Sequence, residues 1–408
     1  MARKMKDSGI EWIGEIPEDW GLPAAKYHLN IFNGSNPSEE GEVPVYGSGE
    51  GVFRYSKEYK LGPAVLLGRK GTIEKPKYIE GKYWNVDTAF NVYSEQTLNL
   101  KFYFYLSKIF DYKQYITSTA LPSMTKENYQ NMKIPYPDII EQKAIVAYLD
   151  KKCCEVESVS NQIKQEIETL ENYKKSLITE AVTKGLDRNV EMKDSGIDWI
   201  GEIPKNWKTI KLKLGLSEKM KYGANEQGVE FSNELPRYVR ITDITENNRL
   251  KEQEKLSLPE EKSVGYILKD KTVLFARSGA TVGKTFFYKS SYGRAAFAGY
   301  LISAKTNKRI LLEKWLYYFT MTHSYAQWIN QIYSQSTIQN ISAEKYSNME
   351  LPITNIENQK NIINYLNKKT KLIDQTIALK QKQVQALEEY KKSLIYEYVT
   401  GKKEAYLG

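Results

Sequence analysis

The chain has 408 residues, with 59 Lys+Arg against 50 Asp+Glu, two His and two Cys, for a net charge of +9. A hydrophobic fraction of 41% is enough to build cores, which excludes global disorder, and no apolar run approaches the roughly 18–20 residues that span a membrane. Cys153 and Cys154 are adjacent, so no disulfide framework exists, and with two His a zinc site has too few ligands; the expected location is a reducing cytoplasm.

In chain order the first feature is a repeat. Residues 5–20, MKDSGIEWIGEIPEDW, return at 192–207 as MKDSGIDWIGEIPKNW, thirteen of sixteen identical at an offset of 187. Residues 170–183, LENYKKSLITEAVT, return at 387–400 as LEEYKKSLIYEYVT, eleven of fourteen identical at an offset of 217. That second offset also relates Pro135 to Pro352, Gln142-Lys143 to Gln359-Lys360, and Tyr148-Leu149 to Tyr365-Leu366. Two ordered matches mark an internal duplication. Between them lie residues 21–133 and 208–350, 113 and 143 residues long and mostly unlike each other. The expected layout is a repeat segment (1–20), a first head (21–137), a long helix (138–186), a second repeat segment (187–207), a second head (208–354), a second long helix (355–403) and a tail (404–408).

The heads read as α+β. Ala64–Leu67 and Thr272–Phe275 have strand composition, and residues 101–116 and 313–333 read as amphipathic helices. Residues 140–184 and 357–400 carry apolar residues at mixed threes and fours, including Ile145, Leu149, Val156, Ile163, Ile362, Leu366, Ile373 and Ile377. Asp138-x-x-Glu141 offers a capping box, and Gly185 and Gly401 offer stops. A helix of about 42 residues is roughly 63 Å long and has one apolar stripe with no partner in its own half. Pairing the two helices buries both stripes; packing each on its own domain is the other reading. The expected fold is α+β: two globular α/β heads joined by two long helices in an antiparallel coiled coil, the whole an internal pseudo-two-fold repeat. Four residues inserted into both helices, roughly 6 Å, are expected to lengthen whatever spacing the pair sets.

Charge concentrates on the heads, +3 for residues 21–133 and +8 for 208–350, which favours a polyanion such as double-stranded DNA. Residues 276–285, ARSGATVGKT, miss a P-loop because Ser278 stands where the first Gly is needed. The other head has Arg69-Lys-Gly-Thr-Ile-Glu-Lys75, aligning as Arg-x-Gly then Thr-[Ile/Val]-x-Lys. A strand followed by a basic Gly loop suits phosphate and guanine contacts, through Arg69, Lys70, Gly71, Thr72 and Lys75 in one head and Arg277, Ser278, Gly279, Thr281 and Lys284 in the other; a structural turn is the alternative. Just before each long helix, Thr337-Ile-Gln-Asn340 stands against Ala120-Leu-Pro-Ser123; Gln339 and Asn340 have the amide groups that read adenine edges, and a polar loop capping a helix accounts for them equally. Pro137-Asp138 with Glu141-Gln142-Lys143 is too compact for a metal-dependent nuclease, and Asn355 and Asn358 replace its acids in the copy. Neither His28 nor His323 sits in a nucleophile or acid–base pattern, so no active site is expected.

These pieces together resemble the specificity subunit of type I restriction–modification enzymes. The marks are the doubled MKDSGI-x-WIGEIP, the IP/LP-x-x-x-I-x-x-QK run into each helix, and the doubled YKKSLI-x-E. Arg240-Ile-Thr-Asp243 and Arg277–Lys284 look like that family's target-recognition domains, which adds Arg240 to the candidate DNA contacts, beside Ser123 of the segment before the first long helix. The resemblance implies a non-catalytic chain whose heads each read half of a split DNA site, with the helices setting the spacer. Two modification subunits that methylate adenine N6, and restriction/translocase subunits, are the implied partners. S-adenosylmethionine, ATP and Mg are expected on those partners, and no cofactor in this chain. Two copies of one partner need two similar surfaces; the repeats offer Trp12, Ile13, Trp20 and Tyr390, and Trp199, Ile200, Trp207 and Tyr173. The contrasting reading is a coiled-coil scaffold presenting two protein-binding heads without DNA.

Overall fold

The computed structural model describes residues 3–94, 97–115, 122–245, 249–334 and 340–405. Two compact units emerge, Met1–Gln165 with Lys380–Gly408, and Glu166–Leu379. The division cuts both long helices, Ile139–Thr183 and Ile356–Val399, which start within one residue of the expected 138 and 355 but end short of the expected 186 and 403.

Each head holds two four-stranded sheets, and the first of the two follows one plan in both heads despite the unlike sequences. In the first unit Leu29–Asn33, Ala89–Ser94, Ala64–Gly68 and Lys77–Ile79 form an antiparallel sheet in that order. Its second sheet runs Arg54–Ser56, Val43–Tyr46, Lys82–Asn85, Lys60–Leu61, with the middle pair parallel. In the second unit Lys221–Tyr222, Leu301–Ala304, Val273–Ala276 and Thr285–Phe287 repeat the first arrangement. Val229–Glu230, Leu256–Ser257, Arg237–Val239 and Ala295–Phe297 form its second sheet, also with one parallel pair, but here that pair lies at the sheet edge rather than in the middle. The two apolar runs singled out in the sequence, 64–67 and 272–275, fall on interior strands buried on both faces, which is why they read as continuous rather than alternating.

The two expected amphipathic helices are each broken. Leu100–Ser107 ends where the Ser107 hydroxyl turns back onto the Phe104 carbonyl, and Tyr112–Tyr115 follows as a 3₁₀ turn. Glu313–Phe319 and His323–Ser334 are separate because Thr322 Oγ1 accepts the Tyr325 N–H and caps a new helix start.

Within each unit the two long helices run antiparallel. In the first, Tyr148 stacks on Tyr398 at 4.3 Å, Glu157 pairs with Lys391, and Lys164 approaches Glu388 at 3.8 Å, so one number rises as the other falls. In the second, Lys174 pairs with Asp374 at 2.7 Å. The core of the first unit takes Leu394, Ile395, Tyr398 and Val399 from the second helix, and the core of the second takes Ile178, Ala181 and Val182 from the first. Each head thus closes over the end of the long helix that does not directly follow it in sequence. The doubled motif YKKSLI-x-E is this closing surface.

The start of each long helix is fixed twice over. Asp138 Oδ1 accepts the Glu141 N–H at 2.8 Å and Asn355 Oδ1 accepts the Asn358 N–H at 2.8 Å, so both are N-caps. The reciprocal half of a capping box is absent in the first copy, since the Glu141 carboxylate instead takes Arg3 and, at 2.8 Å, the Trp20 indole N–H. The doubled glutamine is fully buried. Gln142 accepts the Asn99 N–H at 2.7 Å and donates to Pro137 O at 2.8 Å. Gln359 accepts the Leu312 N–H and donates to Thr354 O and Ile310 O. Each ties a long helix to the first turn of a head helix.

Gly401 has φ +73°, and a Cβ there would lie 2.5 Å from Pro17 and 3.0 Å from Trp20. Gly401→Ala is expected to destabilise the first unit by about 2 kcal/mol or more, combining left-handed backbone strain with the clash. Gly185 has φ +82°, but its nearest neighbour, on Trp207, is 3.3 Å away, so Gly185→Ala should cost about half as much. Thermal melting of the two variants checks the order.

Candidate nucleic-acid interface

Both basic loops leave a buried strand and are held by the segment that precedes a long helix. The Met124 N–H donates to Arg69 O at 2.9 Å and the Ile341 N–H to Arg277 O at 2.8 Å. Lys70 bridges Ser123, and Ser278 bridges Asn340. Beneath each loop a fully buried tyrosine caps the strand end, Tyr129 to Gly68 O at 2.9 Å and Tyr346 to Ala276 O at 2.8 Å. Gly71 at φ +80° and Gly279 at φ +74° make the same turn. The two constellations noted separately in the sequence are therefore one rim in each head.

The rims then diverge. In the second unit the Arg277 guanidinium lies over the Tyr222 ring, 4.8 Å from its centroid, and its Nε donates to Asn340 Oδ1 at 3.4 Å. Tyr222 is itself fixed, its hydroxyl accepting the Ala343 N–H at 2.9 Å. The outer nitrogens of Arg277 have no partner among the described residues, and neither has the Lys284 ammonium. In the first unit Arg69 instead donates to Asp87 O at 3.3 Å, and Lys75 is paired with Glu50. The Ser48 hydroxyl holds Lys70 O at 2.6 Å, leaving the Lys70 side chain exposed beside Thr72. Thr281 lies in the 3₁₀ turn Gly279–Thr281, and no helix starts there, as a P-loop would require. Thr337 and Gln339 lie outside the described residues.

Arg240 is largely engaged within its own head. Its guanidinium grips Asp243, 2.7 and 3.2 Å from its two oxygens, and the Glu254 carbonyl at 3.0 Å, while its own N–H donates to Asp243. With Asp243 almost fully buried, this arginine closes a turn, and of its guanidinium nitrogens Nη1 alone has no partner among the described residues.

The residues expected to face partners also sort by burial. Ile13, Trp20, Ile200 and Trp207 are core side chains and offer no surface; identical apolar residues in a repeat serve a shared core as readily as a shared partner. Trp12 and Trp199 are half-buried, and the Trp199 indole N–H is shielded without an acceptor. Tyr173 and Tyr390 remain 54% and 53% exposed at equivalent positions. Other exposed identities are Lys6/Lys193, Asp7/Asp194, Glu15/Glu202 and Ser176/Ser393.

One surface was not singled out in the sequence. Val52, Phe53, Tyr55, Tyr59 and Leu61 are exposed on the second sheet of the first head and the loop before it, with Phe53 68% exposed. Arg54 lies 5.7 Å from the Phe53 ring centroid and Lys82 4.6 Å from that of Tyr59. The signal was the aromatic–basic run VFRYSKEYKL, too short to separate from a buried strand.

Doubled frames carrying two unlike basic rims define a two-headed specificity protein. The family described as the type I restriction modification DNA specificity domain matches residues 29–169 and 189–389, once in each half. This chain belongs to that family of type I restriction–modification specificity subunits. It is 25% identical over 354 residues to the type I restriction enzyme MjaVIII specificity subunit of Methanocaldococcus jannaschii, covering 83% of this chain and 76% of that one. It is 26% identical over 442 residues to a protein of the same organism described as the MjaX specificity subunit, covering 96% and 95%. A solved structure from work on complex assembly and conformational transition of the type I restriction–modification system shares the fold, with a TM-score of 0.67 at 14% identity over 95% of this chain and 99% of that one. No helix of the described residues is long and apolar enough to cross a membrane.

Proposed function

We propose that each head reads one half of a split, asymmetric DNA site, through the rim where the Arg loop meets the segment before the long helix. The observation that carries this is a common backbone presenting unlike side chains: Lys70 and Ser123 in one head, Ser278, Asn340 and a Tyr222-supported Arg277 in the other. A shared docking geometry with unlike tips is what two different half-sites demand. The helix pair sets the unread spacer. The doubled frame, with Tyr173 and Tyr390 exposed, docks two adenine-N6 methyltransferase subunits, and restriction/translocase subunits join them. The chain contributes recognition, while S-adenosylmethionine, ATP and Mg act on those partners.

Base-resolution mapping of N6-methyladenine in a host, with the gene present and deleted, tests this reading. Loss of methylation at one split motif with unlike halves is the expected result. Four residues inserted into both long helices should lengthen its spacer by one or two base pairs, about one helical turn of protein. An unchanged motif would sink the spacer role, and unchanged methylation on deletion would favour a scaffold without DNA.

A further inference from the structure

The two copies of the frame differ in one place that bears on docking. In the first unit Tyr398 lies against Tyr148, ring centroids 4.3 Å apart and planes 30° from parallel, and Tyr398 is only 7% exposed. At the offset of 217, the second unit has Tyr365 in place of Tyr148 but Ala181 in place of Tyr398. No ring covers Tyr365 from that position, and a cavity of about 200 Å³ opens there, lined by Tyr173, Leu177, Ala181, Leu186, Arg188 and Tyr365. Tyr173 at its rim is the half-exposed residue whose copy is Tyr390. The Arg188 side chain, also at the rim, is exposed and makes no ion pair among the described residues.

The geometry points to a slot in the second unit that receives an aromatic side chain, tyrosine best, from the methyltransferase subunit docked there, while the first unit fills the same slot with its own Tyr398. The first unit names the occupant: an aromatic ring is what this duplicated site holds when it is closed. Ring stacking on Tyr365, whose ring also has Lys369 Nζ 6.0 Å from its centroid, favours an aromatic group beyond the area it buries. The inference rests on the docking reading above and deepens it, because it makes the two copies of the partner unequal. The copy on the second unit must donate a ring, and the copy on the first need not.

The test uses the full chain co-purified with the modification subunit of its own system, with native mass spectrometry counting the copies bound across a dilution series. Ala181→Tyr fills the slot from within and Tyr365→Ala removes its floor. Each is expected to weaken one copy of the modification subunit at least tenfold and to leave the other within twofold. A probe free of the partner is 4-methylphenol, the tyrosine side chain itself. Its saturation-transfer signal on the chain alone should fall at least fivefold in Ala181→Tyr and rise in Tyr398→Ala, which opens the second slot. Both copies retained at wild-type affinity in both variants would overturn the inference and leave the docking reading standing. No modification subunit held by the wild type would overturn both.

Discussion

Replacing Arg277 by alanine should lower the affinity of the assembled complex for its own motif about 5- to 150-fold, the equivalent of the roughly 1–3 kcal/mol that a well-placed arginine contributes at a base edge. The effect is large because the side chain is already ordered. Its guanidinium rests 4.8 Å from the Tyr222 centroid and is steered by Asn340 at 3.4 Å, so little rotamer entropy remains to be lost on binding. Arg277→Lys should not rescue, since an ammonium neither forks onto two acceptors nor stacks as a plane. Tyr222→Ala should cost about threefold, the loss of the stacking support alone. Lys284→Ala should act differently, weakening all sequences alike and reducing the salt dependence of binding by about one ion. Arg69→Ala should fall well short of Arg277→Ala, because Arg69 is tied to the Asp87 carbonyl. Fluorescence anisotropy on a duplex carrying the mapped motif measures all five. Arg277→Ala within twofold of wild type would remove this rim as the reading edge of the second head.

The duplication was legible because it preserves identity over unbroken stretches, and the long helices because an apolar period of threes and fours held for more than forty residues fits no strand or loop. The common plan of the heads was not. Their strands run two to six residues, too short to carry a periodic signal, and partners such as Lys221–Tyr222 and Leu301–Ala304 lie far apart in sequence. The Arg loops and the segments before the helices were each visible, but their union depends on Tyr129 and Tyr346 reaching strand-end carbonyls 61 and 70 positions away. Arg240 shows what a motif resemblance leaves unseen: a neighbour three positions on, Asp243, pairs with its guanidinium.

The repeats also mislead in an instructive way. Identity at Trp20/Trp207 and Ile13/Ile200 suggested contact surface, yet these side chains hold each repeat segment onto a helix end. Selection for an unchanged core and for an unchanged interface leaves the same trace in one sequence. Only exposure separates them, and Tyr173 and Tyr390 are exposed.

That core is held most tightly at the doubled glutamines, and Gln359→Leu should be among the most damaging single changes in the chain. Gln359 is fully buried, and its amide satisfies the Leu312 N–H at 3.0 Å and the Thr354 and Ile310 carbonyls at 2.8 and 2.9 Å. Leucine keeps the volume but strands three backbone groups, the Thr354 carbonyl buried and the Leu312 N–H and Ile310 carbonyl partly buried, and a buried group without a partner costs about 1–3 kcal/mol. A loss of about 4 kcal/mol is expected, or roughly 8–16 °C in melting temperature for a unit of this size. Gln359→Glu should be no milder, because it aims a carboxylate oxygen at two carbonyls. Gln142 has one such carbonyl fewer, donating only to Pro137 O, so Gln142→Leu should lose less. The loss should also be local. Gln359 and all its partners lie in the second unit and those of Gln142 in the first, so calorimetry should move a different transition in each variant. Equal shifts of a single transition by both would mean that the two units unfold as one and that the long helices, which each unit shares in part, transmit stability between them.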